Sequence, residues 1–444
     1  MIKAASYIKK TTITAAIAIL IAVSVLFTES TCVSAAANSL PSNESTGISY
    51  TIYECDTKQT LLKQNAELPA DCSLLARLMT CLLVLENPSV SVTDFISPSQ
   101  DSVSASGRYK LNAAGNYMVD HLLKSVILCN ADNAANLLAS HVNPNTAYFV
   151  SMMNQKAQDL GMGHTFFKNA DGADDPFQQT TAYDMALFWA YAMSNAQFRK
   201  IASNESVHIW TGTAVVNECK LVAERETFSG ALTKSGAYAV YDAANGLGTT
   251  MFYLENKVSD KAPAVKLVFI LSGGSDDSAS DLGKNYVNNV LTNFKKTALI
   301  SKGEFVVSAE IGGSELRLNA AETSYCMIPI DMTGYVENIS YSVIDKNTSA
   351  VPGKALSLNE LSPPIEEGAV IGTANYLLKD GSIHKVGLIA GNSIHSDSKT
   401  INTFYKLIKE NTDIFILISV LVLCELILAF CILLNKVRRR KIRP

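Results

Sequence analysis

The 444-residue chain is poor in charge, with Asp, Glu, Lys and Arg at 18% and a net charge of -4. No basic stripe with interleaved aromatics crosses its central part, which argues against nucleic acid as a partner. The nine cysteines are too few and too scattered for a disulfide framework, and none stands in Cys-x-x-Cys spacing. A metal centre is therefore not expected, and nothing in the pattern asks for a cofactor. Cys55, Cys72, Cys81, Cys129, Cys219 and Cys326 read as mostly buried small hydrophobes.

What the chain has in excess is apolar surface, at 48% of residues, and the excess lies at its two ends. Lys3, Lys9 and Lys10 precede an apolar run over 13–27, and small residues 33–37 follow it, which is the order of a secretory signal. A retained N-terminal anchor is the alternative. Cys32 lacks the apolar and small neighbours that a lipoprotein site wants. At the other end, residues 414–434 are almost wholly apolar and as a helix would be about 30 Å long, enough for one membrane crossing. The basic residues Lys436, Arg438, Arg439, Arg440, Lys441 and Arg443 follow directly, so the tail is expected in the cytoplasm and the folded part outside. Glu425 interrupts the apolar segment. A carboxylate there costs a few kcal/mol unless it is protonated or faces a partner helix, and both readings stand.

Between the ends, Ser49-Tyr50-Thr51-Ile52-Tyr53-Glu54 alternates like a half-buried strand, Asp56-Thr57-Lys58 supplies a turn, and Thr60-Leu61-Leu62 starts a return strand. Leu74, Leu75, Leu78, Leu82 and Leu85 then recur at three- and four-residue steps, which predicts a core helix. Thr249 to Leu254 and Val265 to Leu271 read as further strands. From Gly303 onward short strands and turns dominate, and 392–398 is a polar linker.

Several stretches resemble the serine D-alanyl-D-alanine carboxypeptidases, the low-molecular-weight penicillin-binding proteins of peptidase family S11. Leu78-Met79-Thr80 resembles the end of the family's nucleophile motif, Ser-x-x-Lys followed by Leu/Ile-Met-Thr. That register puts Leu74 at the serine and Arg77 at the lysine. Cys129-Asn130-Ala131-Asp132-Asn133-Ala134-Ala135 resembles the Ser-x-Asn segment, with Asn130 at the second serine and Asp132 at the substrate-binding asparagine. Lys234-Ser235-Gly236 resembles the Lys-Thr-Gly strand. The most similar stretches are the scaffold segments 153–162, 169–176 and 181–186, where Asp171 replaces a histidine often found before Gly172.

The resemblance covers about 48–390. It implies a β-lactamase/transpeptidase-like α/β (α+β) domain, an antiparallel sheet flanked by helices, followed by a small all-β domain and one C-terminal transmembrane helix. The expected layout is a signal at 1–37, the carboxypeptidase-like domain at 38–300, the small domain at 303–391, a linker at 392–412, the membrane helix at 413–435 and a basic tail at 436–444. It also implies a bacterial cell-membrane protein whose folded domains face the peptidoglycan.

Acyl transfer of this kind needs a hydroxyl nucleophile and a base able to take its proton. Leu74 has no hydroxyl, and Arg77 stays protonated. Loss of either group alone costs a serine hydrolase about 10⁶ in turnover. The resemblance therefore implies an inactive relative that binds a peptidoglycan stem peptide or an envelope protein, using Lys234, Ser235, Gly236, Asp132 and Arg77. The coupled exchange also predicts an ion pair between Arg77 and Asp132. The alternative is a working carboxypeptidase that uses Ser73, which lies one residue and about 100° from the nucleophile direction. Its base would have to be Lys234 or Lys124. Cys72 and Cys129 flank the two motifs, which leaves a disulfide between them open.

Overall fold

The computed structural model describes residues 47–98, 110–212, 214–217, 219, 237–244, 247–257, 262–343, 358, 361–395 and part of 407–432. The signal at 1–37 and the Lys234-Ser235-Gly236 motif lie outside the described residues. The described chain forms two compact units. The first contains the sequence to Thr297 together with Tyr325–Tyr335, and the second contains Ala298–Ser324 and the sequence from Val336.

The first unit is built on one antiparallel sheet. Ser49–Glu54 (β1) and Gln59–Gln64 (β2) form the expected hairpin, whose turn places Lys58 at a left-handed φ of 58°. Ala237–Ala244 (β3), Leu247–Asn256 (β4) and Val265–Gly274 (β5) complete the order β2-β1-β5-β4-β3. All six residues of β1 are buried, because the strand pairs on both edges and is covered on both faces. Alternation then divides the side chains. Tyr53, Met251, Tyr253, Val268 and Ile270 join a helical core, whereas Tyr50, Ile52, Phe252, Leu267, Phe269 and Leu271 join a second cluster on the other face.

The helical layer consists of Ser73–Glu86 (α1), Val119–Cys129 (α2), Asp132–Val142 (α3), Thr146–Asp159 (α4), Ala182–Ser194 (α5) and Ala196–Ala202 (α6). Helix α1 is its centre: Leu74 through Val84 are buried without a break, as a helix that is apolar almost all round must be. On the far face, Asp276–Asn293 (α7) packs Ala279, Tyr286, Val287 and Val290 against the sheet. Its start is capped by Ser275, which accepts from the Ser278 N–H at 3.2 Å, with Asp276 and Asp277 in the first turn.

A buried charge cluster closes the β1–β2 end. Lys296 Nζ, with its side chain 2% exposed, donates to Glu54 Oε1 at 2.8 Å, to Asp56 Oδ2 at 2.7 Å and to the Ala264 carbonyl at 2.8 Å. Glu54 also accepts the backbone N–H groups of Thr57 and Lys266, so its oxygens are well supplied. Such saturation is what makes a buried ion pair tolerable.

In the second unit Phe305–Ile311 (β6), Ser314–Ala320 (β7), Val336–Val343 (β8), Val370–Leu378 (β9) and Ile383–Ala390 (β10) form an antiparallel sheet in the order β6-β7-β10-β9-β8. Leu316, Leu318, Ala374, Val386 and Leu388 form its core. The sequence reading put all of 303–391 in one small domain, but Tyr325–Tyr335 belongs to the first unit. Two contacts hold it there: the Ile330 N–H donates to the Asn293 carbonyl at 2.9 Å, and the Gln59 side-chain amide accepts from the Met327 N–H at 2.6 Å and donates to the Met327 carbonyl at 3.1 Å, with Met327 in the far-face cluster.

Among the described residues no helix is long and apolar enough to cross a membrane. The expected membrane segment is only partly described; its positions 420–428, Glu425 among them, are helical and exposed.

Candidate active site

The first turn of α1 is set by Asp71. Its Oδ1 accepts both the Ser73 N–H at 3.1 Å and the Ser73 hydroxyl at 2.8 Å, an Asx-type start that takes the place of a side-chain cap at Cys72. Ser73 is therefore committed to a carboxylate at the helix entrance. Leu74, one position on, points into the core and is 1% exposed.

One turn later Arg77 is 7% exposed, and its Nη1 donates to the Asp171 carbonyl at 3.1 Å. Thr80, a further turn along, donates its hydroxyl to the Ala170 carbonyl at 2.8 Å. The loop carrying Asn169 to Ala173 is thus laid along α1. Gly172 makes the approach feasible: it has φ of +74°, and a Cβ there would sit 2.2 Å from the Ser73 carbonyl oxygen and 2.9 Å from Arg77 Nη1. Only glycine meets both conditions. Asn169 holds the loop from within, accepting from the Gly172 N–H at 2.9 Å and donating to the Ala173 carbonyl at 2.8 Å.

Asp171 links three parts of this wall. Its main-chain oxygen takes Arg77, its Oδ1 accepts from the Ala173 N–H, and its Oδ2 accepts from Asn136 Nδ2 of α3. The expected ion pair between Arg77 and Asp132 is not formed among the described residues. Asp132, the first residue of α3, instead accepts the Asn133 N–H at 2.7 Å. Arg77 donates to the Asp171 carbonyl, whose loop can lie this close because position 172 has no side chain. Asn136 was not singled out in the sequence, although it lies one turn from Asp132 and so on the same face of α3.

Asn130 ends α2 at a left-handed φ of 56°, with its N–H donated back to the Val126 carbonyl at 3.0 Å, so this position serves a turn. Lys124, one of two bases considered for a displaced nucleophile, is paired with Asp120 at 2.6 Å. Cys72 and Cys129 are both buried, with no disulfide between them. Burial, with Asp71 nearby, pushes the Cys72 thiol up. Among the described residues no group of His, Cys, Asp and Glu is arranged to hold a metal ion.

A five-stranded antiparallel sheet between a helical layer and one long helix, with the buried α1 opening beside a polar loop, defines the penicillin-binding/transpeptidase class of α+β fold. Solved structures with this fold include penicillin-binding protein 5 from Haemophilus influenzae, at a TM-score of 0.62 and 20% identity over 79% of this chain and 98% of that one. They also include the D-alanyl-D-alanine carboxypeptidase DacD from Francisella tularensis, at a TM-score of 0.57 and 16% identity over 83% of this chain and 97% of that one. Residues 34–241 match the model of the Peptidase_S11 family, D-alanyl-D-alanine carboxypeptidase, and this part of the chain belongs to that family. Among curated proteins it is similar to D-alanyl-D-alanine carboxypeptidase DacF of Bacillus subtilis, with 27% identity over 36% of this chain and 40% of that one. It is also similar to DacC of Escherichia coli, with 25% identity over 74% of this chain and 80% of that one. The match to DacF thus spans less than half of that relative's length.

Proposed function

We propose that the chain is a non-catalytic member of the carboxypeptidase family, tethered to the bacterial membrane by its C-terminal apolar segment, that binds peptidoglycan stem peptides or an envelope protein through the family cleft. The observation that carries this reading is Leu74: the nucleophile position is a core leucine, 1% exposed, with no oxygen to acylate. Arg77 supports it from the base position, since a guanidinium stays protonated, and here its Nη1 donates to the Asp171 carbonyl. Lys234, Ser235 and Gly236 would supply the cleft's remaining ligand contacts. Glu425 would face a partner helix.

The rival reading, a working enzyme with Ser73 as nucleophile, is weakened by the hydroxyl's bond to Asp71 and by the pairing of Lys124. Intact mass spectrometry of the full-length chain in detergent after incubation with penicillin decides between the two. An unmodified mass on folded protein is the expected result, and an adduct mapped to Ser73 would overturn the proposal.

A further inference from the structure

An open depression of about 490 Å³, lined by none of the family-site residues, lies between β2, the turn after α4 and the start of α5. Its polar lining sets Lys63 and the His164 imidazole beside the carboxyl groups of Glu67 and Asp184. At the rim these groups face each other without closing: Lys63 Nζ stands 3.9 Å and His164 Nδ1 3.8 Å from the two oxygens of Glu67. These side chains are about half exposed or more, at 49%, 49% and 64% for Lys63, Glu67 and His164. Pairs this long and this wet contribute little, so a ligand can part them at small cost.

Asp184 is different. It is 1% exposed, its Oδ2 accepts from the His164 N–H and the Thr165 hydroxyl at 2.8 Å each, and among the described residues its Oδ1 accepts no hydrogen bond. A buried carboxylate oxygen without a donor beside an open depression is a place for a donor. Gly161 and Gly163 complete the lining, and a Cβ at either would meet nothing within 4 Å, so the space beside them is empty.

We propose that this depression binds a small zwitterion, a free α-amino acid, with its carboxylate between Lys63 and His164 and its ammonium toward Glu67 and Asp184. A ligand carrying both charges replaces the two open rim pairs by two short charge-assisted ones, whereas a ligand of one sign would leave one rim charge uncompensated. None of the residues involved belongs to the family site, so the inference stands apart from the loss of catalysis.

The test is calorimetric titration of the full-length chain in detergent with D- and L-alanine, and with acetate and ethylamine as carriers of one charge each. Saturable binding of alanine is expected, with acetate and ethylamine at least about tenfold weaker, the equivalent of one charge-assisted hydrogen bond. Lys63→Met and Glu67→Gln, both at exposed positions, are each expected to weaken alanine by about tenfold while leaving the melting temperature nearly unchanged. No saturable heat, equal binding of acetate or ethylamine, or unchanged affinity in both variants would overturn the proposal. Loss of binding in Lys234→Ala with full binding in Glu67→Gln would also overturn it, because it would put the amino acid in the family cleft.

Discussion

Arg77 and Asp171 are joined by a side chain to main chain bond, Nη1 to carbonyl oxygen at 3.1 Å, across 94 positions of sequence. Arg77 therefore acts as a clamp on the loop from Asn169 to Ala173. Arg77→Lys keeps the charge but loses the planar fork, and Lys reaches the Asp171 carbonyl only by leaving part of the guanidinium's space unfilled. We expect a loss of about 1–3 kcal/mol, read as a lower urea midpoint with an unchanged slope. A variant as stable as the parent would show that the clamp contributes nothing.

Gly172 should tolerate no side chain. Alanine there meets both the left-handed φ of +74° and the Ser73 carbonyl 2.2 Å from its Cβ. A loss of about 2–4 kcal/mol is expected for Gly172→Ala, through displacement of the loop from α1. Gly161→Ala is the control, since it shares a positive φ but its Cβ meets open space, and it should cost only about 1 kcal/mol.

Leu74→Ser with Arg77→Lys, which writes the family's Ser-x-x-Lys at this register, should not confer acylation. A serine at position 74 would put a hydroxyl where a leucine is 1% exposed, costing about 2–4 kcal/mol in lost burial and desolvation. Asn130 and Asp132 would still depart from the second motif. Fluorescent penicillin should leave the double variant unlabelled on a gel, and a labelled band would show that the rest of the site is intact.

Lys296→Met should be among the most damaging single changes in the first unit. It leaves Glu54, fully buried, without its cation, and breaking a buried pair from one side costs about 3–5 kcal/mol. Pairing it with Glu54→Gln should recover most of that loss, and a double-mutant cycle of thermal midpoints measures how much.

Asp184 predicts a pH dependence. Burial raises its carboxyl above the usual range, and the donors Thr165 and His164 only partly offset it. The folded state then binds this proton more tightly than the unfolded chain. Its contribution to stability is complete below the unfolded value of about 4 and is lost as pH rises through the folded value. Asp184→Asn, whose side-chain oxygen can still accept from His164 and Thr165, should therefore gain on the parent as pH rises through that window. Denaturation curves at acid and neutral pH that show a constant difference would refute this.

Much of the fold was legible because it depends on periodicity. The alternation of β1, the turn at Lys58 and the three- and four-residue steps of α1 are properties of neighbouring residues, and the structure has them where expected. Leu74 and Arg77 are buried on α1, as its three- and four-residue steps place them. The failures are contacts between segments distant in sequence. The exchange of charges points Arg77 at Asp132, whereas its Nη1 donates to a main-chain carbonyl brought close by a glycine, and no charge pattern reveals that acceptor. Likewise nothing near Tyr325 signals that Met327 bonds to Gln59, 268 positions away, within the first unit.

The unbroken burial of α1 bears on history as well as on stability. A serine at position 74 would have to be accommodated in that packed interior, so under the proposed reading a change back to a nucleophile would run through a less stable chain. Changes that fit the neighbours to leucine would deepen that barrier, and the packing of α1 would then act as a ratchet on this position.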